Sequence, residues 1–450
     1  MIAMGARYYS DGVPRLAPID RRIVALALPA LGALIAEPAF LLVDTALVGH
    51  LGVNELAGIG IGQAVLQTVT GLLVFLAYAT TPRVARFLGA GRMPDAVRAG
   101  IDGMWLALAA GLVLQVLLPL AHPLVSVFGA ERAVTDIGSS YLAISILGLP
   151  GMLIMLAATG LLRGLQDTKT PLIISAAGFG TNAALNVLFI YGMGMGVPGS
   201  ALGTVIAQWG MAFAMIWIAV RQARKHDVSL APHWSGMLAS AGFGGWLFLR
   251  TLALRLGLLS TTFVATSAGT EVLAATQVAF ALWSTLAFAL DALAIAAQAM
   301  IGKALGAGDV AELRQVTRRL LWWGLWSGVI VGALFALASP VIGRVFTSEP
   351  EVLALLPWAL LVVGLAQPLA GLVFVLDGIL IGAGDARYLA WTGFVNLLVY
   401  LPLLLLALLQ TSSLAALVAV WLAFGVGYMG ARLATLYLRA RTDRWMVLGA

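Results

Sequence analysis

The chain has 450 residues, of which 61% are hydrophobic and only 10% charged, with a mean hydropathy of +0.99. A soluble protein carries roughly 25% charged residues; this chain lacks the polar groups to cover its own surface, so a soluble fold is excluded and an integral membrane protein is expected. It contains no cysteine, which excludes disulfides and thiolate metal sites, and its four histidines, His50, His122, His226 and His233, form no HExxH pair.

A helix needs about 20 residues to cross the hydrocarbon core. In chain order, apolar stretches of that length fall at 23–47, 58–81, 99–120, 134–162, 171–192 and 199–221. A second set falls at 239–259, 272–301, 317–339, 353–380, 388–409 and 413–438. Strand alternation is nowhere sustained, which argues against a barrel. No charged n-region, short apolar core and cleavage site opens the sequence, so no removable signal peptide is expected and the first span directs insertion.

Basic residues orient these spans. With the N-terminus in the cytoplasm, 22 of the 26 Lys and Arg residues fall in inside segments. Outside loops hold only Arg132 and Arg344, and Arg250 and Arg255 lie within a span. Such a bias follows the positive-inside rule. It also accounts for the net charge of +6 without nucleic acid. Both termini are expected in the cytoplasm of a multi-pass plasma (inner) membrane protein.

The chain repeats itself. LRGLQDTK at Leu162–Lys169 matches LIGAGDAR at Leu380–Arg387, and LGAG at Leu88 recurs at Leu305. FGAERAV from Phe128 matches FTSEPEV from Phe346, and Gly52, Leu56 and Ala57 match Gly269, Leu273 and Ala274. Ordered matches at a nearly constant offset mean two copies of one half, as transporters are often built, with the substrate path between the halves. Six spans per copy is even, so both copies enter the membrane in the same direction. The expected fold is an all-α integral membrane protein of twelve transmembrane helices in two six-helix lobes, related by a pseudo-two-fold axis along the membrane normal. Residues 1–221 form the first lobe and 239–450 the second. The polar stretch 222–238 is read as a cytoplasmic linker with room for a short amphipathic helix. The LGAG segments lack P-loop spacing and follow no strand, so they read as cytoplasmic turns.

Ionisable residues inside spans are costly and usually functional. Here they are Glu37, Asp44, Arg250, Arg255, Asp291 and Asp377. Glu37 and Asp44 stand two turns apart on one face of span 1, with Pro38 between them to kink the helix. Asn182 and Asn186, four apart, share a face of span 5, and span 6 carries Thr204. The repeat mates of Asp44, Asn182, Asn186 and Thr204 are Thr261, Tyr400, Leu404 and Leu422. The second copy has therefore lost the cluster, which argues for a task performed once. A carboxylate among amides and a hydroxyl in low dielectric suits reversible proton binding. The bland alternatives stay open. Asn and Thr also join membrane helices without any transport role. Asp44 lies near the end of its span, where an acid reaches water, and Glu37 can serve a helix break. Arg250 requires a buried acid, with Asp291 and Asp377 as candidates; these acids can equally serve contact between the lobes. Arg255 is a candidate cavity residue. Met152, Met155, Met193, Met195, Met211 and Met215 are mostly packing, with some able to line an adaptable pocket.

The motifs VDTALVGHLG at Val43–Gly52, LRGLQDTKTP at Leu162–Pro171, the NxxxN of span 5 and VLDGILIGAGD at Val375–Asp385 resemble those of the multidrug and toxic compound extrusion (MATE) transporters, DinF-like branch. The resemblance runs end to end. It implies two six-helix lobes opening in a V and export of organic compounds against an inward flow of protons or sodium. It implies cation coupling at Asp44, with the positions of Asn182, Asn186 and Thr204 taking part. Three departures stand out. Asn186 is an amide where some relatives carry an acid, which disfavours a sodium cage and favours protons. Span 7 offers Arg250 where another branch places an acid, and Ile381 stands where arginine is common. No cofactor, bound metal or catalytic residue is expected. The expected partners are a small organic substrate and the bilayer, with the protein a monomer.

Other readings are weaker. A major-facilitator transporter would show its conserved charged loop after span 2, where this chain reads TPRVARFLGAGR. A lipid-linked saccharide flippase of the wider superfamily is the nearer rival, expected to have extra spans and a more basic central cavity. A membrane-embedded enzyme would need a catalytic motif, and neither GxSxG nor HExxH occurs.

Overall fold

Backbone groups in lipid must bond internally, so a chain this apolar can cross the membrane only as helices or a closed barrel. The computed structural model describes residues 17–449, without the side chain of Glu37, and the described residues contain helices and no strand. The basic residues Arg7 and Arg15 lie outside the described part.

The first half holds α1 (Pro18–Gly49), α2 (Val53–Leu73), α3 (Phe75–Gly89), α4 (Met93–Val113), the short α5 (Ala121–Ser126), α6 (Arg132–Ile146), α7 (Leu149–Gly164), α8 (Lys169–Val187) and α9 (Val197–Lys225). The second half holds α10 (Trp234–Ser267), α11 (Thr270–Ala307), α12 (Val310–Ile342), α13 (Pro350–Gly382), α14 (Ala386–Leu405), α15 (Ser413–Leu422) and α16 (Met429–Ala440). Helices α2 and α3 form one span, as do α15 and α16 through a π-helical turn at Ala423–Tyr428. Eleven spans are long and apolar enough to cross a membrane, and α6 with α7 makes a twelfth, bent by 49°. Gly148 and Pro150 stand at that bend, and proline is the usual cause of a sharp one.

Helix α1 runs from Pro18 to Gly49 with Pro29 and Pro38 inside it, so Pro38 does not end the helix. One local expectation changes. Helices α9 and α10 extend into the polar stretch, so the non-helical connection is only residues 226–233 and contains no separate amphipathic helix. Arg98 holds this connection by donating to the carbonyls of Ser229 and Ala231, each at 2.7 Å.

The two halves meet at the end that carries the LGAG turns. A Cβ on Gly89 would lie 1.9 Å from the Lys303 carbonyl oxygen, and a Cβ on Gly306 would lie 1.9 Å from that of Arg86. Gly89 and Gly306 are repeat mates, and so are Arg86 and Lys303. The pseudo-two-fold axis therefore passes between α3 and α11, where small residues let the backbones touch. Around this contact Arg86 donates to the Ala383 carbonyl at 2.9 Å, and Gln166 to that of Ala299 at 2.9 Å. Arg319 and Trp323 of α12 both bond Asp20 of α1. Apart from the Tyr78–Asp291 bond deeper in the bundle, the cross-half hydrogen bonds and ion pairs among the described residues lie toward this end. The lobes are closed there.

Candidate functional site

Asp44 is on α1 and only 1% exposed. The structure thus removes the expectation that its place near the span end lets it reach water. Its Oδ1 accepts hydrogen bonds from Asn186 Nδ2 of α8 at 2.7 Å and Ser200 Oγ of α9 at 3.0 Å. Its Oδ2 accepts from Gln63 Nε2 of α2 at 3.0 Å. Four spans converge on one carboxylate. Gly203 makes the approach of α8 to α9 possible, because a Cβ there would lie 2.3 Å from Asn186 Oδ1. Beyond α8 a π-helical turn, Leu188–Gly192, carries Tyr191, whose hydroxyl donates to the Leu47 carbonyl at 2.5 Å and ties α8 to α1.

Asn182 and Thr204 do not touch Asp44. Asn182 Nδ2 donates to Thr204 Oγ1 at 3.0 Å, and Thr204 donates to the backbone carbonyl of Ser200 at 3.0 Å. They form an adjoining pair, joined to the carboxylate through Ser200. The side-chain oxygens of Asn182 and Asn186 are buried with no hydrogen-bond partner among the described residues. Glu37 lies on α1, seven residues before Asp44, with its side chain outside the described part.

The matching place in the second half is filled. Thr261 Oγ1 is 2.6 Å from the Tyr400 hydroxyl, and both residues are fully buried. Tyr400 stacks at a tilt on Tyr428, with ring centroids 4.9 Å apart, and Phe424 packs edge-on against Tyr400. Leu404 is buried, while Leu422 points outward, 46% exposed. Aromatic packing has replaced the acid and its amides.

Asp44, Gln63, Asn182 and Thr204 line a cavity of about 240 Å³ whose apolar wall includes Met152, Met155 and Met211. Met215, by contrast, is a core residue at 1% exposure, and Met193 is exposed. A second cavity of about 280 Å³ shares Val74 and Tyr78 with the first and lies against the other lobe. Its wall carries Arg250, Arg255, Asp291, Asp377 and Arg432. Arg250 Nε donates to Asp377 Oδ1 at 3.1 Å, and Arg250 Nη2 bonds Asp377 Oδ2. Arg432 Nη2 stands 3.5 Å from the same Oδ2. Of the two acids offered by the sequence, Asp377 pairs with Arg250. Asp291 instead accepts a bond from Tyr78 of the opposite lobe at 2.9 Å.

Sequence reasoning missed Gln63, Ser200, Tyr78 and the second guanidinium on Asp377. Two signals were present: Ser200 stands one helical turn before Thr204, and Gln63 interrupts an apolar run. Arg432 and Arg163 are among the 22 basic residues that the charge bias assigns to inside segments. Arg432 is buried at 8% exposure, and Arg163 lines the first cavity. No group of three or more His, Asp or Glu side chains among the described residues could hold a metal ion.

Comparison with known proteins agrees with this architecture. The family model described as MatE matches residues 29–188 and 247–406, one match per half. The chain is 31% identical to Protein DETOXIFICATION 44, chloroplastic, of Arabidopsis thaliana, over 85% of this chain and 76% of that protein. It is 30% identical to DNA damage-inducible protein F of Escherichia coli, over 85% of this chain and 86% of that protein. Among solved structures, a Vibrio cholerae MATE transporter in its bent form superposes with a TM-score of 0.85 at 22% identity, covering 95% of this chain and 98% of the other. A MOP superfamily transporter from Pyrococcus furiosus gives the same TM-score at 20% identity, covering 95% and 96%.

Proposed function

The chain belongs to the MatE family of multi-pass membrane transporters, and from that premise we propose that it exports organic compounds in exchange for protons moving inward, with Asp44 as the proton carrier. The observation that carries this reading is the buried Asp44 cluster beside two unpartnered amide oxygens. Three donors face the carboxylate, an arrangement that suits its ionised form. A proton added to it needs an acceptor, and Asn186 Oδ1 becomes one when the amide turns. That turn exchanges a bond between α1 and α8 for another of opposite polarity. Contacts among α1, α8 and α9 then depend on proton occupancy. Alternating access needs such a dependence, because only a differential affinity shifts a two-state equilibrium. Asp44 also lines the first cavity, so substrate and proton act on the same walls.

A sodium-coupled exporter is the second reading. The orphaned oxygens of Asn182 and Asn186, with Asp44, offer the hard oxygen ligands that such a cation takes. It requires both amides to turn, whereas a proton requires one. The basic bias supports cytoplasmic termini in a plasma membrane, and a single chain brings together every element of the cluster, which favours a monomer.

The test is substrate-induced proton release from purified protein, together with transport in vesicles. Asp44→Asn should fold and reach the membrane, release no proton and lose proton-driven export. Asp44→Glu should keep part of it with a shifted pH optimum, and Glu37→Gln should be milder. Full proton-driven transport by Asp44→Asn would refute the carrier. Transport that follows a sodium gradient at fixed pH would favour the second reading.

A further inference from the structure

We propose that the second cavity is the head-group site for an organic anion, in which Arg250, Arg255 and Arg432 take the carboxylate of an amphiphilic aromatic substrate. The proposal rests on the export reading above for the existence of a substrate, but not on which ion drives it.

Charge is the first argument. The charged side chains of the lining are three arginines against Asp291 and Asp377, a net excess of one positive charge. Arg163, on the wall of the adjoining cavity, has the same sign. Arg255 is exposed on this wall rather than buried, so its charge is hydrated and available to a ligand, and no acid on the wall neutralises it. Asp377 cannot do this, because one carboxylate already serves both Arg250 and Arg432. Asp291 is held by Tyr78. Arg255 has no carboxylate within ion-pair distance among the described residues.

Donors are the second argument. A guanidinium has five N–H groups in a planar fork that matches a carboxylate. Arg250 spends Nε and one Nη on Asp377, leaving its other Nη. Arg432 reaches Asp377 with one Nη at 3.5 Å. Arg255 spends none on an acid. If these arginines only braced Asp377, Arg255 would add nothing, and one partner would serve better than two.

Shape is the third. Trp283, Phe288 and Phe374 are on the wall of the same cavity as the guanidinium cluster. The methionine-walled cavity of Asp44 adjoins it, with Val74 and Tyr78 lining both. A ligand with an anionic head and an apolar aromatic body fits this sequence of walls. An organic cation would place its charge against the arginines.

Three naphthyl probes test the idea: 1-naphthylacetate, its isostere 1-naphthylacetamide and the smaller cation 1-naphthylmethylammonium. Binding to detergent-solubilised full-length protein, read by tryptophan fluorescence without any ion gradient, separates this result from the coupling mechanism. We expect the acetate to bind roughly tenfold tighter than the amide, the scale of a charge-assisted hydrogen bond, and the ammonium to bind weakest. Arg255→Gln should remove most of that preference by weakening the acetate far more than the amide; it orphans no acid, so folding is not at stake. Arg255→Lys should restore part of it. Equal or tighter binding of the ammonium overturns the proposal, as does an anion preference that survives intact in Arg255→Gln. Failure of the Asp44 tests would leave this binding comparison standing, and the reverse also holds.

Discussion

The contact of the two LGAG segments makes a quantitative prediction about conformation. In Gly306→Ala the new methyl group would lie 1.9 Å from the Arg86 carbonyl oxygen and 2.7 Å from its carbon. Ordinary contact begins near 3.4 Å, so the backbones must part by about 1.5 Å. The obstacle is helix backbone and cannot swing aside as a flexible side chain would. Overpacking of this kind costs roughly 1–3 kcal/mol, which changes the ratio of closed to open lobes about 5- to 150-fold. Gly89→Ala should act alike, since its methyl group would strike Lys303 from the symmetric position. A single opening relieves both clashes, so the double variant should cost clearly less than the sum of the singles. The chain lacks cysteine, so a single cysteine at Ala383, 6% exposed beside Arg86, reports the opening by its rate of maleimide labelling. Gly430→Ala, with nothing within 4 Å of its Cβ, is the control. Unchanged labelling in both glycine variants, with protein that remains monodisperse, would refute the reasoning. So would strict additivity in the double variant.

Further outcomes follow from single contacts. Asp377→Ala leaves two buried guanidiniums facing each other and should lower thermal stability by the roughly 3–5 kcal/mol of a broken buried pair; Arg250→Ala should cost less, because Arg432 remains beside the acid. Asp291→Ala combined with Arg250→Ala should be nearer to additive in melting temperature than Asp377→Ala with Arg250→Ala, because only Asp377 bonds Arg250 directly. Tyr78→Phe removes a cross-lobe bond to Asp291 worth about 1–3 kcal/mol and should raise labelling at the same cysteine. Asn182→Ala leaves Asp44 all three of its donors, so in the proton-release assay it should be milder than Asn186→Ala or Ser200→Ala.

Much of the site was legible because it lies along single helices. Asn182 and Asn186 share a face by spacing alone, and an acid in span 1 is conspicuous against apolar neighbours. The repeat then showed which cluster was unmatched, since Thr261, Tyr400 and Leu404 can be found by offset. The partners that come from other helices were not legible. Gln63 and Ser200 reach Asp44 through the rotation of α2 and α9 about their axes, and periodicity within one helix says nothing of its rotation against another. For the same reason Arg250 had two candidate acids in the sequence and one in space.

The sequence by itself determined that the chain is built of long apolar helices able to span a membrane, that its halves are copies, and that the first half carries an acid the second lacks. These follow from local rules: apolar length, charge bias and repetition. Only the tertiary structure decided that the LGAG turns of the two halves press backbone to backbone, that Asp377 holds two arginines, and that the acid cavity adjoins an arginine-rich one. Those relations depend on how helices distant in the chain pack. Packing is set by the fit of whole surfaces, down to the missing Cβ of Gly89, Gly203 and Gly306, and no single stretch of sequence contains it.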